Sequence, residues 1–189
     1  MHWIDPDHLP VKRGTLARFV ANGHGAIDGM LLTDGTEIHT PPHLSVALAR
    51  AIKPGSRVEV RGVTVRGADL IVAVAIDPSK GKRILDEGPH QGGHPEKPHD
   101  DDERWGYEGR IERRLHGPKG QVHGVLLDDG IVIRVPPHAA HALNRLLAVG
   151  KRVAVEGRWL DTPHGPVLSA DAIGPREDAL EPMPKKPKH

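Results

Sequence analysis

The chain has 189 residues, room for one large or two small domains, and its 26 Lys/Arg nearly balance 25 Asp/Glu for a formal net charge of +1, so no overall field steers it towards nucleic acid or a membrane surface. Apolar residues make up 37% and aromatics 3%, so any core is built from Val, Ile, Leu and Ala. The absence of cysteine excludes disulfides, thiolate metal sites and a Cys nucleophile, and no apolar run approaches the roughly 20 residues of a membrane-spanning helix.

In chain order, "MHWIDPDHLPVKRG" lacks the basic-then-apolar layout of a secretory signal. The expectation is a soluble cytoplasmic protein without membrane contact. "GTLARFVA" alternates and is β-rich, a first strand. "NGHG" is a loop. "AIDGMLLTDG" is a second strand ending in a DG hairpin turn, and Gly29 within it predicts a bulge or sharp bend. "TEIHT" is a third strand with Ile38 inward and His39 outward. "HLSVALARAI" is a short helix with an apolar face at Ala47, Leu48, Ala51 and Ile52. "SRVEVRGVTV" and "DLIVAVAI" are fourth and fifth strands.

The same unit then returns. At an offset of about 95, Gly14 matches Gly109, Gly29 matches Gly124, and Asp34-Gly35 matches Asp129-Gly130. Pro41-Pro42-His43 matches Pro136-Pro137-His138, Gly55 matches Gly150 and Gly62 matches Gly157. Ile76-Asp77-Pro78 matches Ile173-Gly174-Pro175 after a gain of two residues. In the second copy "IVIRV" is the third strand, with Ile133 inward and Arg134 outward, and "HAAHALNRLL" is the helix. The chain is thus a tandem duplication of a small domain. The expected organisation is barrel one at 11–78, a flexible His/Asp-rich linker at 79–104, barrel two at 105–176 and a disordered tail at 177–189.

The repeated diproline has a structural reading. Pro41 has no N–H and ends the third strand, while Pro42 suits the first helical position, where a missing N–H costs nothing. His43 then falls in the first turn. It either packs and hydrogen-bonds backbone or, if other ligands converge, binds metal.

Three strands, a helix and two strands form the pattern of an oligonucleotide/oligosaccharide-binding (OB) barrel, all-β and five-stranded with Greek-key connections. Carried by the glycines, DG turns and diproline-histidines quoted above, both copies resemble bacterial proteins described as having an OB-fold nucleic-acid-binding domain. The resemblance implies two OB-type barrels in tandem, each with one short helix between strands three and four, and leaves function to be argued from sites.

Barrels of this kind bind through the outer face of strands two and three and the 1–2 and 4–5 loops. In copy two, Arg113, Lys119, Arg134, Arg158, Trp159 and His164 stand at or near those places. Cations for phosphates beside a ring for bases are what single strands require. Copy one lacks an aromatic there, so copy two is the expected site. The charge bias is mild, with 10 Lys/Arg against 7 Asp/Glu in residues 105–176.

A second reading is a metal-binding or protein-interaction module. His90, His94, His99, Asp100 and Asp102 offer imidazole and carboxylate ligands to a divalent metal, and two tethered barrels make a bivalent adaptor for a protein partner. Otherwise no cofactor is expected. No strained-turn serine and no G-x-x-x-x-G-K-[ST] loop is present, so the reading is non-enzymatic. The expected function is weak, sequence-independent binding of single-stranded nucleic acid, led by copy two.

Overall fold

Alternating apolar residues make β1 (Val11–Ala21) a strand whose Leu16 is fully buried. The structure is a computed structural model, and it describes residues 5–88 and 104–185. After β1 come β2 (Ile27–Leu32) and β3 (Glu37–His39), joined at Asp34-Gly35, where Gly35 has φ +88°. Only glycine adopts that left-handed conformation without cost. A 3-10 turn at Pro42–Leu44 leads into α1 (Ser45–Ala51). Strands β4 (Arg57–Thr64) and β5 (Leu70–Pro78) complete the unit.

The strands run β3-β2-β1-β4-β5, and a parallel pairing of β3 with β5 closes the ring. Leu16, Phe19, Met30, Ile38, Leu48, Val58, Val60 and Ile76 fill it. Ile38 is fully buried, as its inward position predicts.

The second unit repeats this with β7 (Arg104–His116), β8 (Val122–Leu127), β9 (Val132–Arg134), β10 (Arg152–Leu160) and β11 (Val167–Gly174). Its ring runs β10-β7-β8-β9-β11, closed by β10 with β11. Ile111, Val125, Ile133, Val153, Val155, Leu168 and Ile173 fill it. Each copy is an all-β OB-type barrel, and the chain divides into two compact units.

The glycines explain themselves by crowding. A Cβ on Gly62 would lie 2.2 Å from the Val72 carbonyl oxygen, and one on Gly157 would lie 2.0 Å from that of Ser169. The β4–β5 and β10–β11 registers slip at these two glycines, between Arg61/Gly62 and Glu156/Gly157. Gly29 and Gly124 serve a different need: Cβ atoms there would meet the Ile38 and Ile133 carbonyls at 3.3 and 2.4 Å. A register slip lies beside Gly124, between Leu115/His116.

Two features differ from the sequence reading. In copy two the helix α2 covers only Pro137–Ala140, and residues 141–147 continue as turns. Arg114 stands where copy one has buried Phe19, and its guanidinium donates to the Asn144 and Leu147 carbonyls at 2.7 and 2.9 Å. The side chain thereby caps carbonyls at the end of the segment, which have no partner within a helix.

The second feature is a sixth strand on each barrel. β6 (Ile84–Leu85), inside the segment read as linker, pairs antiparallel with β5. β12 (Glu181–Pro182), inside the segment read as tail, pairs with β11 in the same way. Two-residue strands leave almost no periodicity to detect. Among the described residues, no helix is long and apolar enough to cross a membrane.

The first DG turn carries an ion pair, Lys12 Nζ to Asp34 Oδ2 at 2.6 Å. Lys12, followed by the Thr36 backbone N–H, lowers the Asp34 pKa to about 2. A depressed carboxylate contributes stability above its unfolded value near 4, and that contribution fades as pH falls towards 2. The pair is partly exposed, so the effect is small. An NMR titration is expected to show the Asp34 carboxyl moving with a midpoint near pH 2, and Lys12→Ala to return it towards the ordinary range.

Candidate nucleic-acid interface

Alternation on β7 places Trp105, Tyr107, Gly109 and Ile111 on one face. The β7–β10 register sets Gly157 opposite Trp105 and Val155 opposite Tyr107, so Trp159 projects from that same face. The three rings meet there. Trp159 lies 5.8 Å from Trp105 and 6.2 Å from Tyr107 between ring centroids, tilted by 38° and 45°. These are favourable offset contacts. Trp159 and Tyr107 pack on the barrel core, whereas Trp105 is 48% exposed. Three of the chain's five aromatics therefore stand in one patch. The sequence reading placed only Trp159 at the site. Trp105 and Tyr107 sit two residues apart at the start of a strand, and that spacing was the available signal.

Carboxylates hold the rim. Trp159 Nε1 donates to Asp161 Oδ1 at 3.1 Å, and the Tyr107 hydroxyl donates to Asp129 Oδ2. The Asp129 carboxylate raises the Tyr107 pKa, which keeps the phenol protonated as the donor.

The cations divide. Arg104 and Arg158 are directly opposed in the β7–β10 ladder, on the face away from the rings. Like charges so placed repel. Arg104 offsets this by reaching Asp171 at 3.1 Å and Glu156 at 3.9 Å. Lys119 is exposed in the β7–β8 loop, whose backbone is fixed by Gln121 Oε1 accepting the Lys119 N–H at 3.0 Å. Arg113 is partly buried on β7. Arg134 is 9% exposed, with Nη1 2.6 Å from His123 Nε2. The same face of β8 and β9 carries Gly124, Leu126 and Val132, and these are buried together with Arg134. His164 lies in the β10–β11 loop, and burial lowers its pKa, leaving a neutral imidazole at pH 7.

The structure thus gathers Trp159 with rings the sequence reading did not use, and spreads Arg113, Lys119, Arg134 and His164 over the strands and loops around them. The candidate metal ligands His90, His94, His99, Asp100 and Asp102 lie outside the described residues. Among the described residues, no group of three or more His, Asp or Glu converges to hold a metal.

The sequence matches no protein-family model and no curated protein. Among solved structures, the chain is similar to the wild-type single-stranded DNA binding protein from Thermus aquaticus, at 13% identity and a TM-score of 0.27, over 95% of this chain and 94% of that one. A deletion mutant of the same Thermus aquaticus protein aligns at 14% identity and a TM-score of 0.25, over 94% of this chain and 95% of that one.

Proposed function

We propose that barrel two binds single-stranded nucleic acid weakly and without sequence preference. The observation that carries this reading is the Trp105–Tyr107–Trp159 patch, with its outermost ring half exposed. Bases of any kind present a π-face, and stacking on an aromatic platform tolerates every sequence. Trp105 and Trp159 take the bases. Phosphates meet Lys119, while Arg104 and Arg158, on the face of the ladder away from the rings, add their field rather than a direct contact. Arg134, buried with its Nη1 on His123, is a packing rather than a phosphate-binding cation, and neutral His164 contacts a base or sugar rather than a phosphate.

The test is a fluorescence anisotropy titration of a labelled 20-nucleotide single strand into the intact protein, with EDTA present and salt varied. A single direct phosphate contact predicts a shallow slope of log affinity against log salt, about −0.7. Failure to bind at low salt overturns the reading.

A further inference from the structure

The repeated diproline-histidine acts on the sixth strands. His43 Nε2 lies 3.0 Å from Asp86 Oδ1, just beyond β6. His138 Nε2 donates to the Pro184 carbonyl at 2.9 Å, just beyond β12. In each barrel the histidine that opens the helix pins the segment that follows the fifth strand.

That segment fills a gap. The edge of β5 pairs with β3 over Leu70–Val72 and then with β6 over Ala75–Ile76. The edge of β11 pairs with β9 over Val167–Ser169 and then with β12 over Ala172–Ile173. The backbone bonds repeat as well. The Asp86 N–H donates to the Val74 carbonyl at 2.9 Å, and the Met183 N–H to the Asp171 carbonyl at 2.8 Å. Yet the occupants share no residue: Ile84-Leu85-Asp86 in one barrel, Glu181-Pro182-Met183 in the other. One edge geometry thus accepts two unrelated sequences in one register. That is recognition of main chain, as in strand addition.

The occupant of barrel two is the weaker. Both β12 residues are exposed, and Pro182 has no N–H. It is tolerated because the Ala172–Pro182 pair is a position where no ladder bond is required. Besides the ladder pairing at Ile173–Glu181 and the backbone bond at Met183, the contact of Met183 with the core and the His138 pin hold it.

We propose that the β11 edge at Asp171–Ile173 is an acceptor site for an extended peptide segment of a partner protein, kept closed in cis by residues 181–184 under the His138 pin. The segment it fits supplies backbone N–H groups in β geometry and an apolar side chain to take the place of Met183. Occupancy by the cis segment lowers the apparent affinity by the fraction of time the edge is open, so releasing the pin raises it.

The probe is a labelled, end-blocked peptide with the sequence of residues 82–88, the occupant of the equivalent edge, titrated into the full chain. His138→Ala, which removes one side-chain hydrogen bond, is expected to bind it about fivefold more tightly than the unaltered protein and to exchange the Met183 amide faster. The chain has no cysteine, so an Ala172→Cys/Pro182→Cys pair introduces its only thiols. Directly opposed positions of this kind lie within disulfide reach. The oxidised pair is expected to abolish binding and reduction to restore it on the same molecules. Equal binding by the oxidised and reduced forms, no binding by the His138→Ala protein, or an unchanged Met183 amide in that protein would each overturn the proposal.

Discussion

Gly157→Ala is expected to destabilise barrel two at the upper end of the roughly 1–3 kcal/mol that overpacking costs, whereas Gly106→Ala on the neighbouring strand is expected to stabilise it. A Cβ at position 157 would sit 2.0 Å from the Ser169 carbonyl oxygen and 2.9 Å from its carbon. Those are backbone atoms of a paired strand, so no rotamer change relieves the clash. The only response is to part β10 from β11, one of the pairings that close the ring. At position 106 a Cβ meets nothing within 4 Å, and the φ is not in the left-handed region. There alanine removes unfolded-state freedom at no steric cost, which contributes about 0.4–1 kcal/mol. Gly106 stands opposite Glu156 in the β7–β10 ladder, so the two substitutions test adjacent places with opposite signs. Urea or thermal unfolding followed by tryptophan fluorescence measures both. For a domain of this size each kcal/mol moves the midpoint by about 4–8 °C. Gly62→Ala should reproduce the loss in barrel one, where the Val72 carbonyl stands 2.2 Å from the added carbon.

Most of the fold was legible because the duplication writes each element twice. Chance alternation in "GTLARFVA" would not recur with the same glycines and DG turn 95 residues on. The inward positions Ile38 and Ile133 followed from period-2 alternation and are fully buried. The sixth strands were not legible. Their side chains differ between copies because the pairing is made by backbone atoms, which a sequence does not spell out. The helix of copy two was overread for a related reason. Its apolar spacing at Ala142, Leu143, Leu146 and Leu147 matches copy one, but the segment passes into turns after Ala140, and the guanidinium of Arg114, distant in sequence, holds its last carbonyls at Asn144 and Leu147. At the candidate site, loop position pointed to Trp159, while the rings beside it come from the far end of another strand. Only the β7–β10 register brings Trp105 and Tyr107 to it.

Trp105→Ala is expected to weaken single-strand binding by about 1–3 kcal/mol, the range measured when one stacking ring is removed. That corresponds to roughly a 5- to 150-fold rise in Kd. The same change should leave the unfolding midpoint within a few degrees, because Trp105 is 48% exposed and lies outside the core cluster. Trp159→Ala confounds the two quantities. Trp159 packs on the core and also touches both other rings, so its loss removes a platform and opens a void together. Trp159→Phe separates them by keeping a π-face on the core while removing the Nε1 donor that holds Asp161. If stacking drives binding, Trp159→Phe retains most of the affinity and Trp105→Ala does not. If Trp105→Ala binds as well as the unaltered protein, the patch is packing alone. Asp161→Asn distinguishes further, since it removes a negative charge from the rim while leaving an acceptor for the indole N–H. A polyanion approaching the patch should then bind more tightly, with a steeper salt dependence. A ligand without phosphates would gain nothing from that change.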